Sequence, residues 1–91
     1  MTRSELINKL QEKMPHLKPS EVEAIVLTVF DEISDSLEKG DRVELRGFGA
    51  FFVKDRQARK GRNPRTGDSV DVPERKVPAF RSSKTLFEKL N

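Results

Sequence analysis

The sequence lacks cysteine, tryptophan and tyrosine altogether, and it contains a single histidine. The absence of cysteine excludes a disulfide framework and any metal site with thiolate ligands. It is also compatible with a reducing compartment. The one histidine, His16, lies at a predicted connection between two helices, where we assign it no role. We therefore predict no catalytic residue, no metal site and no cofactor.

Long hydrophobic runs are also missing from the chain. No stretch approaches the roughly 20 apolar residues that a membrane span needs, and no signal-peptide pattern is present at the start. We therefore expect a cytoplasmic protein with no membrane partner. The length of 91 residues predicts one domain, residues 1–91, whose core would be marginal in a monomer that has no cross-link.

Positive charge is concentrated in the second half of the chain. Residues 1–40 contain five Lys/Arg and eight Asp/Glu residues, whereas residues 41–91 contain thirteen and seven. Six of the basic residues fall within residues 54–65, where Asp55 is the only acidic one. A positive field that is localised in this way indicates a binding face for a polyanion.

The basic segment from residue 54 to residue 69 has almost no apolar side chains. It cannot bury enough apolar surface to offset its ordering entropy. Gly61 and Gly67 nevertheless allow positive φ, and the intervening Asn-Pro pair is typical of a turn. We predict a β-ribbon arm over about residues 54–72 that grips DNA, with Pro64 as an apolar wedge at its tip. The alternative is a disordered basic loop with no fixed partner.

Two helices are predicted before residue 41. The first begins with a capping box from Thr2 to Glu5 and ends before Pro15. The second begins near Pro19 and ends at Gly40. Its apolar face is broad for so small a protein, which favours a dimer over a fully intramolecular core. This face comprises Val22, Ile25, Val26, Val29, Phe30, Ile33 and Leu37.

Three strands are predicted after residue 40. Residues 41–46 alternate between apolar and charged side chains, which is typical of a half-buried strand, and a glycine-rich turn follows. A second strand starts at residues 50–53 and continues into the arm. A third strand returns from the arm, and Pro73 and Pro78 confine it to an edge or to irregular pairing.

A short last helix is predicted to begin after Ser82 or Ser83, either of which can act as its N-cap. The free N–H groups at its start lie beside Arg81 and Lys84, an arrangement suited to a phosphate. An ordinary capped helix with no ligand is the alternative.

The order of the elements and two motifs closely resemble the HU/IHF family of bacterial DNA-bending proteins. The motifs are Arg46-Gly47-Phe48-Gly49-Ala50-Phe51 and the arm-tip sequence Gly61-Arg62-Asn63-Pro64-Arg65-Thr66-Gly67. The resemblance covers the whole chain. It implies an α+β fold in an intertwined dimer: a helical base from residues 1–40, a three-stranded antiparallel sheet with a long β-ribbon arm from 41–80, and a short C-terminal helix from 81–91. It also implies a nucleoid-associated architectural protein, not an enzyme, that bends duplex DNA through the minor groove.

The resemblance implies particular DNA contacts in the arm. Pro64 matches the tip proline that inserts between base pairs in this family. Arg46 matches a residue that enters the minor groove, steadied by Glu44, and a plain ion pair between these two residues is the alternative. Further predicted contacts along the arm and its root are Lys54, Arg56, Arg59, Lys60, Arg62, Asn63, Arg65 and Lys76.

Three more residues match positions outside the arm that clamp DNA phosphates in the family. They are Ser4, Arg81 and Lys84, which lie at helix N-termini or beside them. Two positions depart from the family's usual residues: Ser83 stands where glycine is usual, and Phe52 stands where a polar residue is common.

Within the family, the first six residues and the Val43-Glu44-Leu45-Arg46 strand are most similar to the beta subunit of integration host factor. This predicts a heterodimer with an alpha-like subunit that acts in recombination, transcription and nucleoid organisation. The alternative is an HU-like homodimer that binds DNA with little sequence preference. The predicted dimer core contains Val29, Phe30, Ile33, Leu45, Phe48, Phe51 and Phe80.

Two other classes of function fit the sequence less well. A reader of single-stranded RNA needs aromatic platforms, but none of the six phenylalanines lies in the arm. An enzyme is disfavoured because the segment Gly61 to Gly67 lacks the Lys-Ser/Thr of a Walker loop, and no nucleophile has a plausible base.

Overall fold

The polypeptide forms three α-helices and five β-strands, and the computed structural model describes all of residues 1–91. The predicted order of elements is confirmed, but the three predicted strands become five because a break in the arm divides both long strands. The helices are α1 (Arg3–Lys13), α2 (Pro19–Glu38) and α3 (Lys84–Leu90), and the strands are β1 (Val43–Leu45), β2 (Gly49–Arg56), β3 (Arg59–Arg62), β4 (Ser69–Val72) and β5 (Arg75–Ser82).

The helices begin at the predicted caps. At the start of α1, the Thr2 Oγ1 accepts a hydrogen bond from the Glu5 N–H at 3.2 Å. Helix α2 begins with Pro19, whose missing N–H costs nothing at the first helical position. Of the two candidate caps for α3, Ser83 is the one used, and its Oγ accepts from the Leu86 N–H at 3.0 Å.

Helix α2 ends in a Schellman motif around Gly40. This glycine has a φ of 84°, a backbone conformation that residues with a Cβ atom rarely adopt. Its N–H donates to the Leu37 carbonyl at 3.0 Å, and the Asp41 N–H donates to the Ser36 carbonyl at 2.9 Å. Both carbonyls would otherwise be free at the end of the helix.

The chain divides into two compact units, Met1–Asp35 and Ser36–Asn91. The first unit holds α1 and most of α2, and the Gln11 Nε2 donates to the Leu17 carbonyl at 2.5 Å across the link between the helices. The second unit holds the sheet, the arm and α3. The single domain expected from the length of the chain stays a prediction.

Strands β1, β2 and β5 form an antiparallel sheet in the order β1-β2-β5. Strand β5 therefore lies at an edge of the sheet. Proline has no N–H to donate to a neighbouring strand, so an edge is where Pro78 is tolerated. The register places Val43, Phe51 and Phe80 in one row across the sheet.

The turn between β1 and β2 corrects the predicted first strand, which was expected to reach Arg46. The Phe48 N–H donates to the Leu45 carbonyl at 2.9 Å, and Gly47 has a φ of 84°. These features define a type II turn with glycine at its third position. Arg46 therefore occupies the second position of the turn and lies beyond the end of the strand.

The arm is divided by a break in its pairing, which we call the arm break: residues 57–58 on one strand and 73–74 on the other. Arg56 pairs with Arg75 before the break, and Arg59 pairs with Val72 after it. The register is therefore unchanged across two unpaired positions on each strand. Pro73 contributes to the break because it has no N–H to donate.

Very little of the apolar surface is buried within the chain. The buried hydrophobic residues are Val22 and Val26 in the first unit and Ala50 in the second. Of the predicted dimer-core residues, Ile33 and Phe51 are partly buried. The other five keep large exposed surfaces, namely Val29, Phe30, Leu45, Phe48 and Phe80.

The predicted fold class is confirmed: three helices, a three-stranded antiparallel sheet and a hairpin arm. None of the three helices combines the length and the apolar character that crossing a bilayer requires.

Candidate nucleic-acid interface

The two faces of the three-stranded sheet differ in chemistry because side chains alternate along each strand. One face carries the aromatic cluster: the Phe80 ring centroid lies 5.3 Å from that of Phe48 and 4.9 Å from that of Phe51. Gly49 leaves room for this cluster, since a Cβ there would collide with the Phe80 ring and the Arg81 carbonyl. These three aromatic side chains therefore pack together on one face of the sheet.

The opposite face of the sheet carries most of its basic side chains, which lie among a few apolar residues. Phe52 is its only aromatic residue, and two cations lie against the ring: the Arg42 Cζ is 5.7 Å and the Lys54 Nζ is 5.9 Å from the ring centroid. Both distances are in the range of cation–π attraction. Phe52, noted in the sequence as a departure from the family, thus positions two basic side chains at the root of the arm.

Glu44 forms an ion pair with Arg42, and no ion pair joins it to Arg46. Its Oε1 lies 2.9 Å from the Arg42 Nε, on the strand face that these two residues share. The role of Glu44 in steadying Arg46 on DNA stays a prediction. Both partners of the observed ion pair are largely exposed, so the pair orients side chains more than it stabilises the fold.

A shallow groove on this face brings together three predicted DNA contacts, Glu44, Arg46 and Arg81. Arg42 lies beside them, and the small buried Ala50 is in the lining. Three guanidinium groups against one carboxylate make the groove suited to an anionic ligand.

The arm tip is organised by local hydrogen bonds. The Asn63 N–H donates to the Asp68 carbonyl and the Gly67 N–H donates to the Asn63 carbonyl, both at 2.8 Å. The Asn63 Oδ1 also accepts from the Arg65 N–H at 2.9 Å. Gly67 has the positive φ of 75° that the turn needs. The result is an ordered tip at which Pro64 is exposed.

The remaining arm cations are distributed over the two ladders. In the β2–β5 ladder, Lys54 and Arg56 share a face, and the partner of Arg56 is Arg75. Lys76 lies opposite Asp55 on the other face. In the β3–β4 ladder, Lys60 and Arg62 share one face and Arg59 lies on the other. All of these basic side chains are exposed.

Two predicted phosphate contacts lie at helix starts. Ser4 is exposed in the first turn of α1. Lys84 is the first residue of α3, and its Nζ lies 3.7 Å from the Glu88 Oε1 one turn later. Their roles in DNA binding stay predictions, as do those of the other site residues.

Sequence reasoning missed two basic residues that the structure adds to this surface. Arg42 contacts Phe52 and lines the groove, and Arg75 lies directly opposite Arg56. The alternation of residues 41–46 placed Arg42 on the charged face and could have identified it. Arg75 could not be identified without the register.

The whole chain, residues 1–91, matches the family model for bacterial DNA-binding proteins. This chain belongs to the HU/IHF family of bacterial DNA-binding proteins. The family is one of structural DNA-binding proteins and not of enzymes. The structure contains no group of three His, Cys, Asp or Glu residues that could hold a metal ion.

Solved structures of HU proteins have the same fold. The chain is similar to HU from Anabaena in a cocrystal with DNA, with 34% identity, a TM-score of 0.90, and coverage of 99% of this chain and 97% of that one. It is also similar to HU from Thermotoga maritima, with 28% identity and a TM-score of 0.70, and to a variant of that protein, with 30% and 0.72. Both comparisons with Thermotoga maritima cover the full length of both chains.

Proposed function

We propose that this member of the family bends duplex DNA through the minor groove, with Pro64 inserted between base pairs. The observation that carries the proposal is the arm tip, where hydrogen bonds from Asn63 and Gly67 hold an exposed proline at the end of a cationic ribbon. An apolar wedge of this kind unstacks a base step and kinks the duplex.

The cationic surface supplies the energy that bending requires. Unstacking costs a few kcal/mol per step, and bending a site smoothly costs roughly 1–6 kcal/mol more. A bent duplex contacts more of the arm and the groove, which offsets that cost. If all six cations of residues 54–65 met phosphates in each of two chains, the slope of log K against log salt would reach about −10, as an upper limit.

The wedge is tested by replacing Pro64 with alanine and measuring the bend angle by energy transfer between the ends of a labelled duplex. We expect a clearly smaller bend with only a modest loss of affinity, because every cation remains. Ser69→Ala, at an exposed position at the start of β4, is the matched control and should retain the parent bend. Equal bend angles for Pro64→Ala and the parent would refute the wedge.

We infer further that the functional unit is a dimer. Val29 and Phe30 of α2 are about half exposed, at 51% and 48%, and so are Phe48 and Phe80 of the sheet, at 47% and 42%. These residues are too numerous and too large to be scattered surface positions, and only three hydrophobic residues are buried. A second chain that covers these surfaces supplies the missing core.

The dimer is tested with Val29→Glu, which places a charge on the exposed apolar strip of α2. We expect this variant to be monomeric or unfolded by sedimentation velocity and circular dichroism. Thr28→Glu adds the same charge at the neighbouring exposed position and should leave the dimer intact. A dimeric, folded Val29→Glu protein would contradict the proposed interface.

The second subunit of the dimer is either an alpha-like chain or another copy of this chain. The opening residues and the Val43–Arg46 segment favour a beta-like subunit of integration host factor that pairs with an alpha-like chain and acts in recombination, transcription and nucleoid organisation. The similarity to HU structures favours a homodimer instead. Native mass measurement of the chain alone and after mixing with an alpha-like chain distinguishes them: exchange into a heterodimer supports the first, and a stable homodimer that ignores the added chain supports the second.

A further inference from the structure

Asn63 forms three hydrogen bonds within the arm tip. Its N–H donates to the Asp68 carbonyl and its carbonyl accepts from the Gly67 N–H, both at 2.8 Å. Its side-chain Oδ1 accepts from the Arg65 N–H at 2.9 Å. Asn63 is half-buried, whereas the adjacent Pro64 is exposed. Asn63 is therefore part of the turn that presents the proline.

The side-chain bond restricts the one backbone torsion that Pro64 leaves free. The pyrrolidine ring fixes the φ of Pro64. Its ψ determines the orientation of the following peptide, whose N–H belongs to Arg65. Because the Asn63 Oδ1 accepts from this N–H, a rotation about ψ would break the bond. Both torsions of Pro64 are therefore set by groups within the tip.

The hydrogen bonds of the tip are local, since they join only residues 63–68. An asparagine side chain that accepts from the N–H two residues later is a common turn-forming arrangement. The tip can therefore hold its shape in the protein without DNA. A segment that is ordered before binding loses less conformational entropy when it binds.

We propose that Asn63 is a positioning residue, which orients the Pro64 ring for insertion through the bond from its Oδ1 to the Arg65 N–H. A direct contact with DNA, which the sequence alone predicts for Asn63, would use the amide N–H groups of the same side chain as donors. The two roles therefore depend on different atoms. The inference rests on the proposed function, since it takes Pro64 as the wedge.

The test replaces Asn63 with alanine and with aspartate. Aspartate keeps an oxygen that can accept from the Arg65 N–H, but it has no N–H to offer to DNA. At saturating protein, we expect Asn63→Ala to bend a labelled duplex clearly less than the parent does and Asn63→Asp to bend it as much as the parent. The bend is compared at full occupancy because the added negative charge of Asn63→Asp weakens binding. Gln57→Ala removes an exposed amide side chain from the arm break and, as the control, should retain the parent bend.

A second measurement requires no DNA. In the free protein, NMR measures how fast the Arg65 amide proton exchanges with water. We expect this exchange to be roughly five-fold faster in Asn63→Ala than in the parent, as the loss of one hydrogen bond predicts. In Asn63→Asp the rate should equal that of the parent.

The outcomes separate this inference from the proposed function. If Asn63→Asp bends the duplex as little as Asn63→Ala, the amide N–H groups are required, and the positioning role is refuted while the wedge stands. The role is also refuted if Asn63→Ala bends the duplex like the parent, or if its Arg65 amide exchanges no faster. If Pro64→Ala bends the duplex like the parent, the wedge is refuted and the positioning role fails with it.

Discussion

The β2–β5 ladder, which we call the root, and the β3–β4 ladder, which we call the outer half, share one antiparallel register. They differ in what stabilises them. The β2–β5 ladder has eight residue pairs, and its Phe51 and Phe80 rings pack at 4.9 Å. The β3–β4 ladder has four pairs, and its apolar content is Val70 and Val72, of which Val70 is exposed. Because apolar burial is what offsets the entropy of ordering a chain, we expect the root to fold with the sheet and the outer half to become rigid only on a ligand.

The largest difference between the two halves should appear when their glycines are substituted. A side chain at Gly49 in the root would collide with the Phe80 ring and the Arg81 carbonyl, and the backbone carbonyl cannot move without breaking the sheet. We expect Gly49→Val to destabilise the protein by about 3 kcal/mol or to prevent folding. Chemical denaturation followed by circular dichroism measures this.

Gly61→Ala is the matched substitution in the outer half. Its Cβ would lie 3.3 Å from the Val72 Cγ2, and this methyl group is free to adjust. We expect a change in the free energy of unfolding of less than about 0.5 kcal/mol. If Gly61→Ala lowered the free energy of unfolding as much as Gly49→Val does, the outer half would be part of the cooperative core. The two halves would then not differ in what stabilises them.

Removing a basic side chain from the outer half should have an intermediate effect. It should weaken DNA binding and leave the free energy of unfolding unchanged. Arg62→Gln removes an exposed charge from the β3–β4 ladder. We expect unchanged unfolding but a weaker affinity and a salt slope reduced by about 1 per chain. Lys9→Gln in α1 is the control, and its slope should equal that of the parent. An unchanged slope for Arg62→Gln would show that this residue faces solvent in the complex.

The smallest effect is expected at the root, where Phe52 holds Arg42 and Lys54. Each cation–π contact at an exposed site contributes about 0.5–1 kcal/mol. Phe52→Leu keeps an apolar side chain but loses these contacts, so we expect roughly two- to five-fold weaker DNA binding with the salt slope unchanged. Phe52→Trp should restore the affinity. If Phe52→Leu alters the slope as strongly as Arg62→Gln, the ring does more than position two cations.

Local chemistry made much of this fold predictable from sequence. The caps at Thr2 and Ser83, the glycine that ends α2 and the glycine-bracketed arm tip each depend on residues within a few positions of one another. Such short-range hydrogen bonds and φ requirements are visible in a single sequence. The basic surface was likewise visible as charge, although its division between two sheet faces was not.

Alternation along one segment does not reveal where a strand ends or what it pairs with. The first strand was predicted too long because the type II turn formed by residues 45–48 ends it before Arg46. Arg75 was overlooked because only the pairing of β2 with β5 places it opposite Arg56. The arm break depends on Pro73 facing a particular position of the other strand. Register is a property of two segments together, so neither segment alone contains it.

The equal gaps in the arm constrain how its length can vary. Inserting one residue on one side of the break would turn every side chain beyond it to the reverse face, so that Lys60 and Arg62 would exchange orientation with Arg59 and Gly61. Only insertions of two residues on each strand would lengthen the arm and keep its cations aligned. Relatives with longer or shorter arms should therefore differ by two residues on each strand, or by a multiple of that number.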